Sequence, residues 1–278
     1  MKTKEFTFKS ATGVCDIYGC RYTPDDDAVK AVIAIHHGMA EHQERYRDFV
    51  SFLTSNGFAV YMHDMANHGK SNNDKNLTGY FGKKDGYKAL VKDFDSVVKT
   101  AKTDYPDKKL VIMGHSMGSF IVRCYTAWYP NAGFDGAIYM GTGGSNPIAG
   151  VGDFVSSLIA KVTGYKKKVA LLDKMTFGSY NDKFEKRTAF DWLTRDNSVV
   201  DKYINDEYCG FLFSAQGMND LVKLNIKANL DDWYARVPKN LPILVISGAD
   251  DPVCDYSKGV VEIENKLKAT AHKNVTAK

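Results

Sequence analysis

The segment Leu110-Val111-Ile112-Met113-Gly114-His115-Ser116-Met117-Gly118 sets G-x-S-x-G directly behind an apolar run. The run reads as a buried strand. Past it, from Ser119 to Tyr129, Phe120, Ile121, Cys124 and Trp128 recur at helical spacing. Strand, G-x-S-x-G and helix in that order are the context of a nucleophile elbow, in which flanking glycines leave room for a tight turn that lifts Ser116 Oγ above a sheet. The helix that starts there aims free N–H groups and its dipole at charge developing beside the serine. Ser116 is the candidate nucleophile.

Outward from this elbow, strand and helix patterns alternate. Phe6 to Lys9 and Val14 to Tyr22 read as two antiparallel strands turning at Ala11-Thr12-Gly13. Ala31 to His36 reads as a buried strand, Tyr46 to Ser55 as a helix, Phe58 to Asp64 as a strand and Asp85 to Thr103 as a long helix. Lys109 to Met113 is the elbow strand, and Phe134 to Met140 and Leu241 to Ser247 follow as strands. Such alternation predicts an α/β fold, a mostly parallel central sheet flanked by helices.

The 100 residues 141–240 exceed the ~30 of a plain crossover unit. They are rich in aromatics, among them Phe154, Phe177, Trp192, Tyr203 and Phe211. The interval reads as an inserted helical cap, which divides the chain into core 1–141, cap 142–238 and core 239–278. Beside a serine nucleophile, a cap also builds an apolar substrate pocket. Within it, Val151, Phe154, Val155, Leu158, Ile159 and Val162 share a helix face ahead of Lys166-Lys167-Lys168. Such a face either packs on the protein beneath or makes transient contact with a membrane surface or lipid.

A net charge of +4 and the lack of interleaved basic and aromatic residues argue against a nucleic-acid partner. No apolar run is long enough to cross a bilayer, and no signal peptide is visible. Five cysteines without paired metal spacing read as reduced thiols, which implies a cytoplasmic protein. Nothing calls for a metal or an organic cofactor, and the oligomeric state is not legible.

A serine hydroxyl needs a base to take its proton and N–H donors for the oxyanion of the tetrahedral intermediate. The donors expected are the backbone N–H of Met117 and, from the loop His36-His37-Gly38-Met39-Ala40-Glu41-His42, that of Met39. His37 and His42 lack a matching carboxylate or cysteine in the sequence pattern, so both are expected in hydrogen-bonded structural roles rather than as metal ligands. The acid is expected after the strand Leu241 to Ser247, in Gly248-Ala249-Asp250-Asp251-Pro252. Asp250 and Asp251 compete for that place, with Asp251 favoured; Asp255 reads as a helix start.

These pieces, in this order, resemble the monoacylglycerol lipase and lysophospholipase-like group of the α/β-hydrolase superfamily. The matching residues are His37-Gly38-Met39-Ala40-Glu41-His42 with Arg45-Tyr46, then Asp64, His68-Gly69-Lys70-Ser71, the Ser116 elbow and Gly248 to Asp255. The cap stretch Phe190-Asp191-Trp192-Leu193-Thr194-Arg195-Asp196 is similar to bacterial lysophospholipase-like members. The resemblance implies a serine hydrolase cleaving a small-molecule acyl ester, with Ser116 as nucleophile, Asp251 as acid and the Met39 and Met117 N–H groups as oxyanion hole. Peptidase and thioesterase chemistry share the fold. The chain departs from the group at Met39-Ala40, commonly Ala-Gly, and at Asn67, commonly glycine.

The group's order is Ser, Asp, His, so the base should follow Asp251, where His272 is the single histidine. Ser257 to Thr270 reads as a helix and Lys273 to Lys278 as an opening strand, which puts His272 at the amino edge of a parallel sheet. The reaction centre lies at the carboxyl edge, ~17–20 Å away across a five- or six-residue strand. His272 is therefore expected not to be catalytic. The chain is expected to be truncated before its catalytic histidine and final helix, and the 278-residue form to be inactive or nearly so. A non-catalytic acyl-ligand-binding module is the alternative that this leaves.

Overall fold

The computed structural model describes residues 1–278. Its strands are β1 (Lys2–Lys9), β2 (Asp16–Thr23), β3 (Ala31–His36), β4 (Phe58–His63), β5 (Leu110–His115), β6 (Gly136–Met140), β7 (Ile243–Ile246) and β8 (Val275–Ala277). They form one eight-stranded sheet in the order β1-β2-β4-β3-β5-β6-β7-β8. β2 pairs antiparallel with β1 and β4, and every other neighbouring pair is parallel. The sheet is thus mostly parallel, as the alternation predicts.

The parallel strands β3 to β5 are runs of mainly apolar residues up to the histidines at their carboxyl ends, because helices cover both faces of a sheet built by crossovers. Val32, Ala34 and Ile35 in β3 and Ala59 to Met62 in β4 are all buried. The covering helices are α1 (Arg47–Ser55), α2 (Gly86–Asp104), α3 (Met117–Trp128) and, near the end, α9 (Lys258–Ala269). On α2, Leu90, Val91, Phe94, Val97, Val98 and Ala101 form the buried stripe that 3.6-residue periodicity requires. No helix is long and apolar enough to cross a membrane.

Between β6 and β7 lie α4 (Ala149–Thr163), α5 (Ala170–Phe177), α6 (Asn197–Asn205), α7 (Ala215–Asn229) and α8 (Asp231–Arg236). α7 packs on α4, α3 and α2, and its Met218, Leu221, Leu224 and Ala228 join the main core together with Trp233 and Tyr234 of α8. Although Ile159 packs against the main core, most of the apolar face of α4 does not turn inward. Its small-residue side does: Ser156 and Ala160 are buried, and Asn219 of α7 donates to Asp153 Oδ1 at 2.7 Å. Phe154 is left 70% exposed and Val162 77% exposed, with Val151 and Leu158 beside them.

Candidate active site

β5 runs through Gly114 and His115, two residues beyond its apolar run, and α3 begins at Met117, so the turn is Ser116 alone. Ser116 stands at φ 52°, ψ −122°, a conformation costly for a residue with a side chain and typical of strain held at a functional site. Two glycines make the turn feasible. A Cβ on Gly114 would lie 2.3 Å from Gly118 O, and one on Gly118 would lie 2.3 Å from His37 O. The Ser116 N–H is held by Met140 O of β6 at 2.9 Å, and Ser116 O accepts from the Ser119 N–H at 2.8 Å.

The loop after β3 passes directly over this serine. A Cβ on Gly38 would stand 3.2 Å from Ser116 Cβ. The loop is fixed by Glu41, whose Oε1 accepts the Gly38 N–H at 2.6 Å and the Tyr46 hydroxyl at 2.8 Å. His115 Nδ1 lies 3.2 Å from the same oxygen and 2.9 Å from Tyr46 Oη, and Arg45 pairs with Oε2. Burial would raise the Glu41 carboxyl, but the His115 hydrogen bond and the Arg45 charge hold it well below the usual carboxylate range. This network was not legible in the sequence beyond the bare presence of Glu41, Arg45 and Tyr46. Met39 next to Gly38 makes no backbone hydrogen bond, and Met117 is the first residue of α3, where N–H groups have no partner within the helix.

Asp250 and Asp251 part company. Asp250 is exposed and pairs with Arg195 at 2.5 Å. Asp251 turns back toward the carboxyl ends of the strands, its Oδ2 accepting from Ser247 Oγ at 2.5 Å and its Oδ1 from the Val253 N–H at 2.8 Å. A Cβ on Gly141, the residue after β6, would stand 3.5 Å from Asp251 Oδ2 and 3.4 Å from His115 Cδ2. Asp251 therefore faces the same end of β5 and β6 as Ser116.

The histidines are placed elsewhere. His272 lies between α9 and β8, with Nδ1 3.0 Å from Leu267 O and Nε2 3.1 Å from Val237 O. Asn274 O, two residues on, accepts from the first residue of β7, which puts His272 at the amino edge of the sheet. His36, His37 and His68 hydrogen-bond to backbone through Nδ1. Burial drives His36 and His37 down to about 3 and His68 down to about 4, so these imidazoles are neutral. His37 takes the structural role expected of it, accepting the Met65 N–H at 2.8 Å. His42 does not stand without a carboxylate or cysteine: Asp206 lies 2.8 Å from its Nε2, and Cys209 is beside both. The pattern hid this because both partners come from the turn that follows α6, Asp206 lying 164 residues downstream. Both departures from the group fall on left-handed backbone, Ala40 at φ 48° and Asn67 at φ 55°, which explains why glycine suits those positions.

A strained serine at a strand–helix turn, under a His-Gly loop and at the carboxyl edge of a mostly parallel sheet, defines an α/β-hydrolase. Residues 27–277 match the family described as serine aminopeptidase, S33 (Hydrolase_4), and the chain belongs to that family. It is similar to the monoglyceride lipase of Mus musculus, 29% identical over 243 residues that cover 86% of this chain and 71% of the relative. The monoacylglycerol lipase of Mycolicibacterium smegmatis is 32% identical over 169 residues, 60% of this chain and 54% of that one. Among solved structures, a thermostable carboxyl esterase from Bacillus coagulans superposes with a TM-score of 0.92 at 29% identity, over 100% of this chain and 89% of that one. The protein is thus an α/β-hydrolase of the monoacylglycerol-lipase-like group.

Proposed function

We propose that this protein is a serine carboxylic ester hydrolase acting on monoacyl lipids, monoacylglycerol or lysophospholipid, or on similar medium-chain esters. The observation that carries the reading is the approach of Gly38 to the strained Ser116, with Asp251 at the same sheet edge. Ser116 Oγ attacks the ester carbonyl, and the Met39 and Met117 N–H groups stabilise the oxyanion of the tetrahedral intermediate. Collapse releases the alcohol and leaves an acyl-Ser116, which water then hydrolyses. Asp251 would orient an imidazole and stabilise it once protonated. Within residues 1–278 no histidine hydrogen-bonds to Ser116 or Asp251, so these residues alone are expected to be inactive or nearly so.

Residues 142–238 are read as the cap of this site. The outward apolar face of α4, with Leu171 and Met175 of α5 also exposed and Lys166 to Lys168 close behind, supports contact with a lipid surface from which an acyl ester is drawn. Five free thiols suit a cytoplasmic setting.

The test is a panel of monoacylglycerols, lysophospholipids, aryl esters, acyl thioesters and peptides, offered to the protein as its gene encodes it. Turnover of monoacyl lipids that is lost in Ser116→Ala supports the reading. Turnover confined to peptides or thioesters replaces it, and binding of acyl ligands without any turnover makes the protein a carrier.

A further inference from the structure

The segment 203–210 grips the loop after β3 at several points. The Gly210 N–H and the Tyr203 hydroxyl both donate to Ala40 O, each at 3.0 Å. Beyond α6 the chain makes a tight turn in which Asp206 Oδ1 accepts the Tyr208 N–H at 2.9 Å and Asp206 O accepts the Cys209 N–H at 3.0 Å. That turn curls the Cys209 thiol back over the Asp206 carboxylate, whose Oδ2 already faces His42 Nε2 at 2.8 Å. An imidazole nitrogen, a carboxylate oxygen and a sulfur thus lie within 4.8 Å of one another, with His42 buried and the other two half-buried.

We propose that His42, Asp206 and Cys209 form a binding site for a zinc-type divalent cation, which clamps the 206–209 turn to the loop carrying Met39. Nitrogen, oxygen and thiolate sulfur are the donors that tetrahedral zinc takes, at ~2.0–2.3 Å each, which sets them roughly 3.3–3.8 Å apart. The observed spacing brackets that range. The His42–Asp206 pair must open slightly and the sulfur close slightly, both within the reach of side-chain rotation. Three coordinate bonds form and the His42–Asp206 hydrogen bond breaks; the Nε2 proton of that bond passes to water while Nδ1 takes one up, so the imidazole stays neutral with its Nε2 lone pair free, and the thiol proton leaves to solvent. No electron is transferred. The divalent charge is balanced by one carboxylate and one thiolate, and the nearby Arg45 is already paired with Glu41. The half-exposed side of the cluster leaves the fourth position to water. Without a cation, burial and the neighbouring Asp206 push the Cys209 thiol up, so proton loss has to accompany binding.

The site is tested by titrating the metal-stripped protein with Co2+, which gives a thiolate-to-cobalt charge-transfer band only when sulfur is a ligand. One equivalent should produce the band, Zn2+ should displace it, and Zn2+ at about 100 times its dissociation constant should raise the unfolding midpoint by several degrees. Cys209→Ser and Asp206→Asn should abolish both effects, while Cys15→Ser, at the other half-exposed thiol, should keep them. A band that survives Cys209→Ser, the absence of any band, or no zinc-dependent shift of the midpoint would each overturn the proposal. The readouts do not involve ester turnover, so the outcome is independent of the function proposed above.

Discussion

The Glu41 carboxylate accepts the Gly38 N–H at 2.6 Å, and through this bond the loop above Ser116 is tied to Tyr46, Arg45 and His115. Glu41→Gln removes the charge from the centre of that network. Hydrogen bonds to a charged group contribute about 1.5–3 kcal/mol each. Denaturant unfolding of Glu41→Gln should show a loss of about that size, and ester turnover should fall while the protein stays folded. Unchanged stability would mean that the network is slack.

The elbow tolerates no added carbon at Gly118. The Cβ of alanine would meet His37 O at 2.3 Å, and neither backbone can give way without moving β3 or α3. Overpacking of this kind costs about 1–3 kcal/mol or more. Gly118→Ala should lower the thermal midpoint accordingly and abolish turnover, as read by calorimetry and an ester assay on the same preparation.

His63 is buried against His36, ring centroids 4.7 Å apart, and neither of its ring nitrogens has a hydrogen-bond partner. Burial holds it well below the ordinary histidine range. A histidine depressed in the folded state is neutral in both states above its unfolded value, about 6.5, and below it the unfolded chain takes up a proton that the fold refuses, so stability falls as the pH falls. Leucine here binds no proton and leaves no polar atom unpaired. His63→Leu should stabilise the protein by about 1–3 kcal/mol, and its advantage should grow below pH ~6.5 by up to ~1.4 kcal/mol per pH unit. An advantage that is flat with pH would contradict this assignment.

What the sequence made legible was local. The elbow could be read because strand, tight turn and helix are contiguous, and β3 runs from Ala31 to His36 as its unbroken apolar run implies. The failures are long-range or directional. Glu41 meets His115 across 74 residues, and no pattern at either site announces the other. Periodicity located the apolar face of α4 but could not tell which way it points. The Asp153–Asn219 contact and the small Ser156 and Ala160 seat the opposite side on α7, and Val151, Phe154, Leu158 and Val162 are left outward.

His272 offers a separate check on where the base is not. Both of its nitrogens are engaged by backbone carbonyls at the amino edge, so His272→Ala should cost about 1–3 kcal/mol of stability and leave the chemistry at Ser116 unchanged. Residues 1–278 on their own should hydrolyse esters no faster than the residual that binding and an oxyanion hole sustain, about 10³–10⁴ over water, and added imidazole should raise that rate. Full turnover from these residues, abolished by His272→Ala, would move the base to His272.

The claim that Ser116 is the reacting nucleophile is tested most directly by exposing the protein as its gene encodes it to a fluorophosphonate and mapping the adduct by peptide mass spectrometry. The account predicts one phosphonyl group on the peptide that contains Ser116, and none in Ser116→Ala of unchanged thermal stability. An adduct on another residue, or undiminished labelling of Ser116→Ala, would contradict it.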